Sequence, residues 1–132
     1  MFTIHHIGIV VESLEASVPL YCRMLGVAPE DVAYHDVPTE QLRIAMLKGN
    51  AAVELLEPSN PESGLAKFRE KRGPGIHHIC YAVPAPLQAK LDELKAAGFI
   101  LLDETPRHGA DGVIFFVHPK STGGVLTEFV EV

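Results

Sequence analysis

The sequence lacks several features that would place it in a special class of proteins. No apolar run approaches the ~20 residues that a membrane-spanning helix needs. The N-terminus has neither the basic start nor the cleavage site of a signal peptide. The net charge of −6 is unlike the basic surface of a general nucleic-acid binder. We therefore expect a cytoplasmic protein with no nucleic-acid and no membrane partner.

Cysteine is also scarce, and its spacing carries no metal or redox motif. The two cysteines, Cys22 and Cys80, do not form a CxxC pair. We expect both to be buried reduced thiols. The rest of the composition, with 47% hydrophobic and 21% charged residues over 132 residues, is typical of one globular domain.

The sequence contains a short motif that occurs twice. The stretch "HHIGIVV" begins at His5, and "HHICYAV" begins at His77, 72 residues later. Both histidine pairs lead into short apolar runs rich in branched or aromatic residues, which is typical of strands. A duplicated structural unit would produce such a repetition, and the remaining sequence supports one.

Each half predicts a strand, a helix and three further strands. In the first half these are "FTIHHIGIVV", a helix "LEASVPLYCRMLG" capped by Ser13 and ended by Gly26, then "DVAYHDV", "QLRIAMLKG" and "AAVELLEP". In the second half they are "GIHHICYAV", the helix "APLQAKLDELKAAG", then "FILLDE", "GVIFFVHP" and "GGVLTEFVEV". We predict a single α+β domain over 1–132, with one βαβββ repeat at about 1–58, a partly helical linker at about 59–75 and a second repeat at about 76–132.

The repeats also share a carboxylate in the fourth strand. Glu54 follows His6 by 48 residues, and Glu128 follows His78 by 50. Two halves related by a pseudo-two-fold axis would bring the two histidines and the two glutamates together. Imidazoles with carboxylates suit a divalent transition metal, and four protein ligands leave open positions of the kind a catalytic site needs. The alternative is that each is an ordinary polar side chain of a strand.

Only one histidine of each pair can face such a site, because side chains alternate across a strand. We choose the second of each pair. His5 and His77 are then expected to point to the other face or to a subunit contact.

The sequence resembles the vicinal oxygen chelate superfamily, which includes glyoxalase I, extradiol dioxygenases, fosfomycin resistance proteins and the methylmalonyl-CoA epimerases. It is most similar to the epimerases, through "HHIGIVVESLEAS", "VELLEPSNPESGLAKFREKRGPGIHHI" and "HPKSTGGVLTEFVE". The resemblance covers essentially the whole chain. It implies two tandem βαβββ modules that form a curved mixed sheet around a metal site, and it implies a homodimer.

The resemblance also implies an activity and a cofactor. Its metal ligands fall on His6, Glu54, His78 and Glu128, with one divalent ion per chain, which could be Co, Mn, Ni, Zn or Mg. The family interconverts (R)- and (S)-methylmalonyl-CoA by moving the proton on C2, through an enolate that the metal stabilises. Methylmalonyl-CoA is the substrate that this resemblance implies.

The sequence departs from part of the family at the proposed base. Some members carry Glu in the strand that here reads "LRIAML", where this chain has Ile44. Glu128 and Glu54 are the remaining carboxylates of the site, and each would have to serve as ligand and base. Glu40 is nearby in sequence. The loop "RHGADG" also differs, with Asp111 where related members have His.

The loop "HPKSTGG", from His118 to Gly124, is the best candidate for binding an anion. Lys120, Ser121 and glycine amides could hold the substrate carboxylate or part of CoA. The alternative is an ordinary hairpin turn with a solvated lysine. The basic run "KFREKR" could meet CoA phosphates, although a solvated helical face is the simpler interpretation.

Two other functions are compatible with the same fold. A lyase like glyoxalase I would share the metal site but not the CoA-binding loop. A binding protein like those that confer bleomycin resistance would use the fold without a metal. The presence of all four candidate ligands favours the metal-dependent alternatives.

Overall fold

The computed structural model describes all 132 residues, which form three α-helices, eight strands and three short 3-10 turns. The first copy of the βαβββ order consists of β1 (Thr3–Val10), α1 (Leu14–Leu25), β2 (Ala33–Val37), β3 (Leu42–Leu47) and β4 (Ala52–Pro58). Helix α2 (Gly64–Arg72) follows it. The second copy consists of β5 (Gly75–Val83), α3 (Leu87–Ala96), β6 (Arg107–Gly109), β7 (Gly112–Val117) and β8 (Thr127–Glu131). The predicted α+β fold of two βαβββ modules is confirmed.

The chain divides into two compact units whose boundary does not follow the sequence repeats. The N-terminal unit comprises Ile7–His77, and the C-terminal unit combines Met1–His6 with His78–Val132. The boundary therefore passes through β1 and through β5. As a result, His6 belongs to the same unit as His78, although 72 residues separate them.

The N-terminal unit is an antiparallel arrangement covered by α1. Strand β3 pairs with β2 on one side and with β4 on the other. The apolar positions of α1 recur at helical spacing and bury Leu14, Val18 and Cys22. They pack against core residues of the strands, including Ala45, Leu47 and Leu55.

The C-terminal unit repeats this plan with one parallel pairing. Strand β8 pairs in parallel with β5 and antiparallel with β7, which pairs with β6. Helix α3 buries Leu87 and Leu91 against Phe115 and Val117. Because β8 lies between β5 and β7, the carboxylate of its second residue is brought into the middle of this unit.

In each repeat, a glutamate near the end of the last strand accepts a hydrogen bond from the N-terminus of the helix. Glu57 Oε1 accepts a hydrogen bond from the Leu14 N–H at 2.8 Å, and Glu131 Oε2 accepts one from the Leu87 N–H at 2.8 Å. A carboxylate at a helix N-terminus satisfies an otherwise unbonded amide and interacts favourably with the helix dipole. This second repeated glutamate lies three residues after the first glutamate of each repeat, and the sequence analysis did not predict its role.

Replacing Glu131 by alanine is expected to destabilise the protein. Pro86, which precedes α3, offers no side-chain cap, so the substitution leaves the N–H of the buried Leu87 without its acceptor. The expected loss is about 1–3 kcal/mol in the free energy of unfolding, measured by urea titration. The exposed Glu104 supplies the control, and its alanine variant should unfold like the parent protein. An equal stability of the two variants would contradict this role.

The prediction that "FILLDE" forms a strand is wrong. Only Leu101 makes an isolated bridge, to Val117, and Ile100 and Leu102 are about half exposed. Leu101, between them, is only partly buried, so this apolar run has no buried inner face to hold it in a sheet. The missing strand is β6, which forms a hairpin with β7 inside the segment that was expected to be a loop.

Other local expectations agree with the structure. The Ser13 side chain accepts a hydrogen bond from the Ala16 N–H, and Gly26 adopts a left-handed conformation at φ 71° that ends α1. Cys22 and Cys80 are buried and form no disulfide. None of the three helices is long and apolar enough to cross a bilayer.

Candidate metal centre

Strand alternation places the second histidine of each pair inside the protein. In β1 and β5 the buried positions alternate with more exposed ones, so His6 and His78 are buried while His5 and His77 are only partly buried. His6 has no exposed surface. The structure therefore directs the two predicted histidines to the interior.

His6, His78 and Glu128 converge in the C-terminal unit. The two Nε2 atoms lie 3.0 Å apart. Glu128 Oε1 lies 3.1 Å from Nε2 of His6 and 3.2 Å from Nε2 of His78. Three of the four predicted ligands thus present one potential ligand atom each to a common point.

Glu128 is ionised although it is buried. Burial by itself disfavours its charged form, but contacts with His6 and His78 and their positive charges outweigh that effect. Together they lower the pKa of the Glu128 carboxyl from 4.5 to about 2. At neutral pH the group is a carboxylate, the form in which it can bind a metal.

The donor set fits a divalent metal ion. Glu128 Oε1 is buried and makes no well-aligned hydrogen bond, despite its short distances to both imidazoles. With metal–ligand bonds of ~2.1 Å, donor atoms at right angles around one ion lie about 3.0 Å apart. The observed separations of 3.0, 3.1 and 3.2 Å match that spacing. When both nitrogens carry lone pairs, these and the carboxylate oxygen face the same point, an arrangement that a cation stabilises.

Glu54 lies in the N-terminal unit, on β4, and is 2% exposed. In the register of β3 with β4 it is paired with Met46, while Leu56 is paired with Ile44. These four residues therefore share one face of the sheet. The assignment of Glu54 as the fourth ligand stays a prediction, supported by the burial of Glu54 and by its equivalence to Glu128 in the repeats.

Ile44 places an aliphatic side chain, with no acidic or basic group, on that face. It is 4% exposed and packs in a core cluster with Val10, Leu56 and Leu65. The register puts it on the Glu54 face, where some related members carry the proposed base. In this chain the position contributes packing in place of a carboxylate.

Three neighbours of the histidines were not assigned to the site from the sequence. Phe116 packs edge-on against the His78 ring, with centroids 5.8 Å apart. His5 Nδ1 lies 2.8 Å from His6 Nδ1, and Asp111 Oδ2 lies 3.8 Å from the same atom. Asp111 reaches this place because it lies in the turn between β6 and β7, a hairpin that the sequence did not predict.

Hydrogen bonds within the predicted anion-binding loop and to Ile100 hold its conformation. Ser121 Oγ accepts from the Ile100 N–H at 2.8 Å, and His118 Nδ1 accepts from the Lys120 N–H at 3.0 Å. The Gly124 N–H donates to the Pro119 carbonyl at 2.8 Å and is not available to a ligand. The Lys120 side chain is exposed. The expectation of a glycine amide as ligand is therefore wrong for Gly124, while Lys120 and Ser121 stay predictions.

Comparison with known proteins identifies the family of this chain. Residues 5–117 match the family model described as "Glyoxalase/Bleomycin resistance protein/Dioxygenase superfamily". The chain is 39% identical to the ethylmalonyl-CoA/methylmalonyl-CoA epimerase of Cereibacter sphaeroides, over 98% of this chain and 97% of that protein.

Solved structures extend the similarity to three dimensions. A Streptomyces coelicolor methylmalonyl-CoA epimerase in complex with 2-nitronate-propionyl-CoA superposes with a TM-score of 0.89 at 35% identity, covering 99% of this chain and 98% of that one. A methylmalonyl-CoA epimerase in complex with methylmalonyl-CoA and NH4+ gives a TM-score of 0.90 at 34% identity, covering 99% and 94%. The chain therefore belongs to the Glyoxalase/Bleomycin resistance protein/Dioxygenase superfamily, and within it is similar over nearly its whole length to methylmalonyl-CoA epimerases.

Proposed function

We propose that this protein is an isomerase, a metal-dependent epimerase that interconverts (R)- and (S)-methylmalonyl-CoA. The observation that carries the proposal is the buried convergence of His6, His78 and Glu128, in a chain that matches epimerases along nearly its full length. We include Glu54 as the fourth ligand because it occupies the position equivalent to Glu128 in the other repeat.

The reaction asks for a weakly acidic C–H bond to be broken and remade. C2 of the substrate lies between a thioester and a carboxylate, so removing its proton leaves an enolate whose charge rests on oxygen. A bound divalent ion would supply Lewis-acid stabilisation of that charge. The metal is one of Co, Mn, Ni, Zn or Mg.

The residues of this chain have separate tasks in that scheme. Nε2 of His6, Nε2 of His78 and the Glu128 carboxylate would hold the ion, and they would shield it from water because all three residues are buried. The proton on C2 needs an acceptor, and Glu128 and Glu54 are the carboxylates that we propose for it. The homodimer and the cytoplasmic location implied by the family resemblance are further proposals.

The proposal is tested by following the C2 proton. The purified protein, supplied with Co²⁺ or Mn²⁺, is incubated with (S)-methylmalonyl-CoA in D₂O. Deuterium at C2 and formation of the (R) form are expected, and removal of metal by EDTA should stop both. A parallel assay with a glutathione hemithioacetal should show no turnover. Turnover of the hemithioacetal without C2 exchange would instead identify a lyase like glyoxalase I.

Removing the Lys120 side chain is expected to weaken substrate binding without affecting the fold. The lysine is exposed in a short turn, so its packing contributes little to stability. Losing one charge-assisted contact to an anionic substrate costs about 1.5–3 kcal/mol, or roughly ten- to a hundred-fold in KM.

Lys95 provides the matched control for Lys120, because it is also an exposed lysine of the C-terminal unit. Both alanine variants should keep the parent Tm, and Lys95→Ala should keep the parent KM. An unchanged KM for methylmalonyl-CoA in Lys120→Ala would count against its role.

A further inference from the structure

Both ring nitrogens of His6 have close polar neighbours. Its Nε2 faces Nε2 of His78 and Oε1 of Glu128, as described above. Its Nδ1 faces Nδ1 of His5 at 2.8 Å and Oδ2 of Asp111 at 3.8 Å. Nothing in the proposed reaction so far uses the Nδ1 side of this ring.

Metal binding through Nε2 of His6 determines which nitrogen of the ring carries the hydrogen. A nitrogen that gives its lone pair to a metal carries no proton, so the hydrogen of the neutral imidazole then lies on Nδ1. Since His6 has no exposed surface, water cannot readily accept that hydrogen bond. The acceptor has to come from the protein.

Distance selects His5 as this acceptor. At 2.8 Å its Nδ1 is within hydrogen-bonding range of His6 Nδ1, whereas Asp111 Oδ2 at 3.8 Å is too far for a direct hydrogen bond. For His5 to accept through Nδ1, its own hydrogen must lie on Nε2.

We propose that His5 is a positioning residue of the metal centre, which accepts a hydrogen bond from the Nδ1–H of His6. The bond fixes the His6 tautomer and ring orientation, so that the Nε2 lone pair points at the ion. The inference rests on the proposed function only in taking His6 as a metal ligand. It gives the first histidine of "HHIGIVV" a task at the site, in place of the expected orientation toward the other face.

The repeat supplies a matched control at the equivalent position. The His77 ring packs edge-on against Phe68 at a centroid distance of 4.7 Å, a contact that a phenylalanine ring can also make. The same substitution at His5 and at His77 therefore compares the loss of the proposed hydrogen bond with the same change of ring at the equivalent position of the other repeat.

The experiment measures metal affinity by calorimetry on metal-free protein titrated with Zn²⁺. His5→Phe is expected to weaken binding roughly 10- to 100-fold, the usual effect of removing the partner of a metal-bound histidine. His5→Asn, whose side-chain oxygen can occupy the place of Nδ1, should recover much of the affinity. His77→Phe should stay within about two-fold of the parent. Equal losses in His5→Phe and His5→Asn, or in His5→Phe and His77→Phe, would overturn the proposal.

A direct measurement of the tautomer separates this inference from the proposed function. In the Zn²⁺-loaded parent protein, ¹⁵N NMR should find the His5 hydrogen on Nε2 and none on Nδ1, whereas a hydrogen on His5 Nδ1 would overturn the positioning role. Full Zn²⁺ affinity in His6→Ala would remove the metal centre itself, and with it the basis of the inference. Lost affinity in His6→Ala with parent affinity in His5→Phe would reject the role of His5 alone.

Discussion

Replacing His78 by alanine is expected to abolish tight metal binding and, with it, exchange of the C2 proton. The substitution removes one of three converging donor atoms and leaves the buried Glu128 carboxylate with one imidazole neighbour. Because removing only the partner of a ligand already costs 10- to 100-fold, losing a ligand should weaken metal affinity more than about 100-fold. Metal content after dialysis and deuterium incorporation at C2 measure the two effects.

His77→Ala is the control for this variant. It alters the neighbouring residue of the same strand, whose ring packs against Phe68, and it should retain both metal and activity. Full metal occupancy in His78→Ala would show that the three converging residues are not the metal ligands.

Replacing Glu128 by glutamine is expected to leave almost no C2 exchange even when metal is saturating. The amide keeps an oxygen donor but loses the negative charge and the basicity, and losing a general base costs typically ~10²–10⁴-fold in rate. Glu54→Gln should stay partly active, since some related members have Gln at the equivalent position. Deuterium incorporation with excess Co²⁺ or Mn²⁺ compares the two variants directly.

The low pKa of Glu128 affects how the C2 exchange rates of the two glutamine variants are interpreted. A carboxyl with a pKa of about 2 is an anion at neutral pH and therefore holds a proton weakly. Its work as a base therefore depends on the Lewis acid making C2 more acidic. Full activity in both glutamine variants, or the reverse order, would move the base to another group, such as Glu40 or a water molecule.

The sequence by itself determined the repeated fold and the candidate ligands. Period-two and helical apolar patterns, with Ser13 and Gly26 at the ends of α1, are local signals that depend on neighbouring residues only. The repeat alone was enough to pair His6 with Glu54 and His78 with Glu128, because the spacings in the two halves match. Strand alternation predicted that only one histidine of each pair faces the site, and the family resemblance supported the choice of the second.

Only the tertiary structure decided which groups surround those ligands. The pairing of β6 with β7 brings Asp111 near His6, and the pairing of β8 with β5 brings Glu128 to both histidines. "FILLDE" has the composition of a strand, yet it lacks an inner face in the folded chain. Such contacts join residues far apart in sequence, and the two histidines lower the pKa of Glu128 against the opposing effect of burial. No local pattern in a single sequence records either quantity.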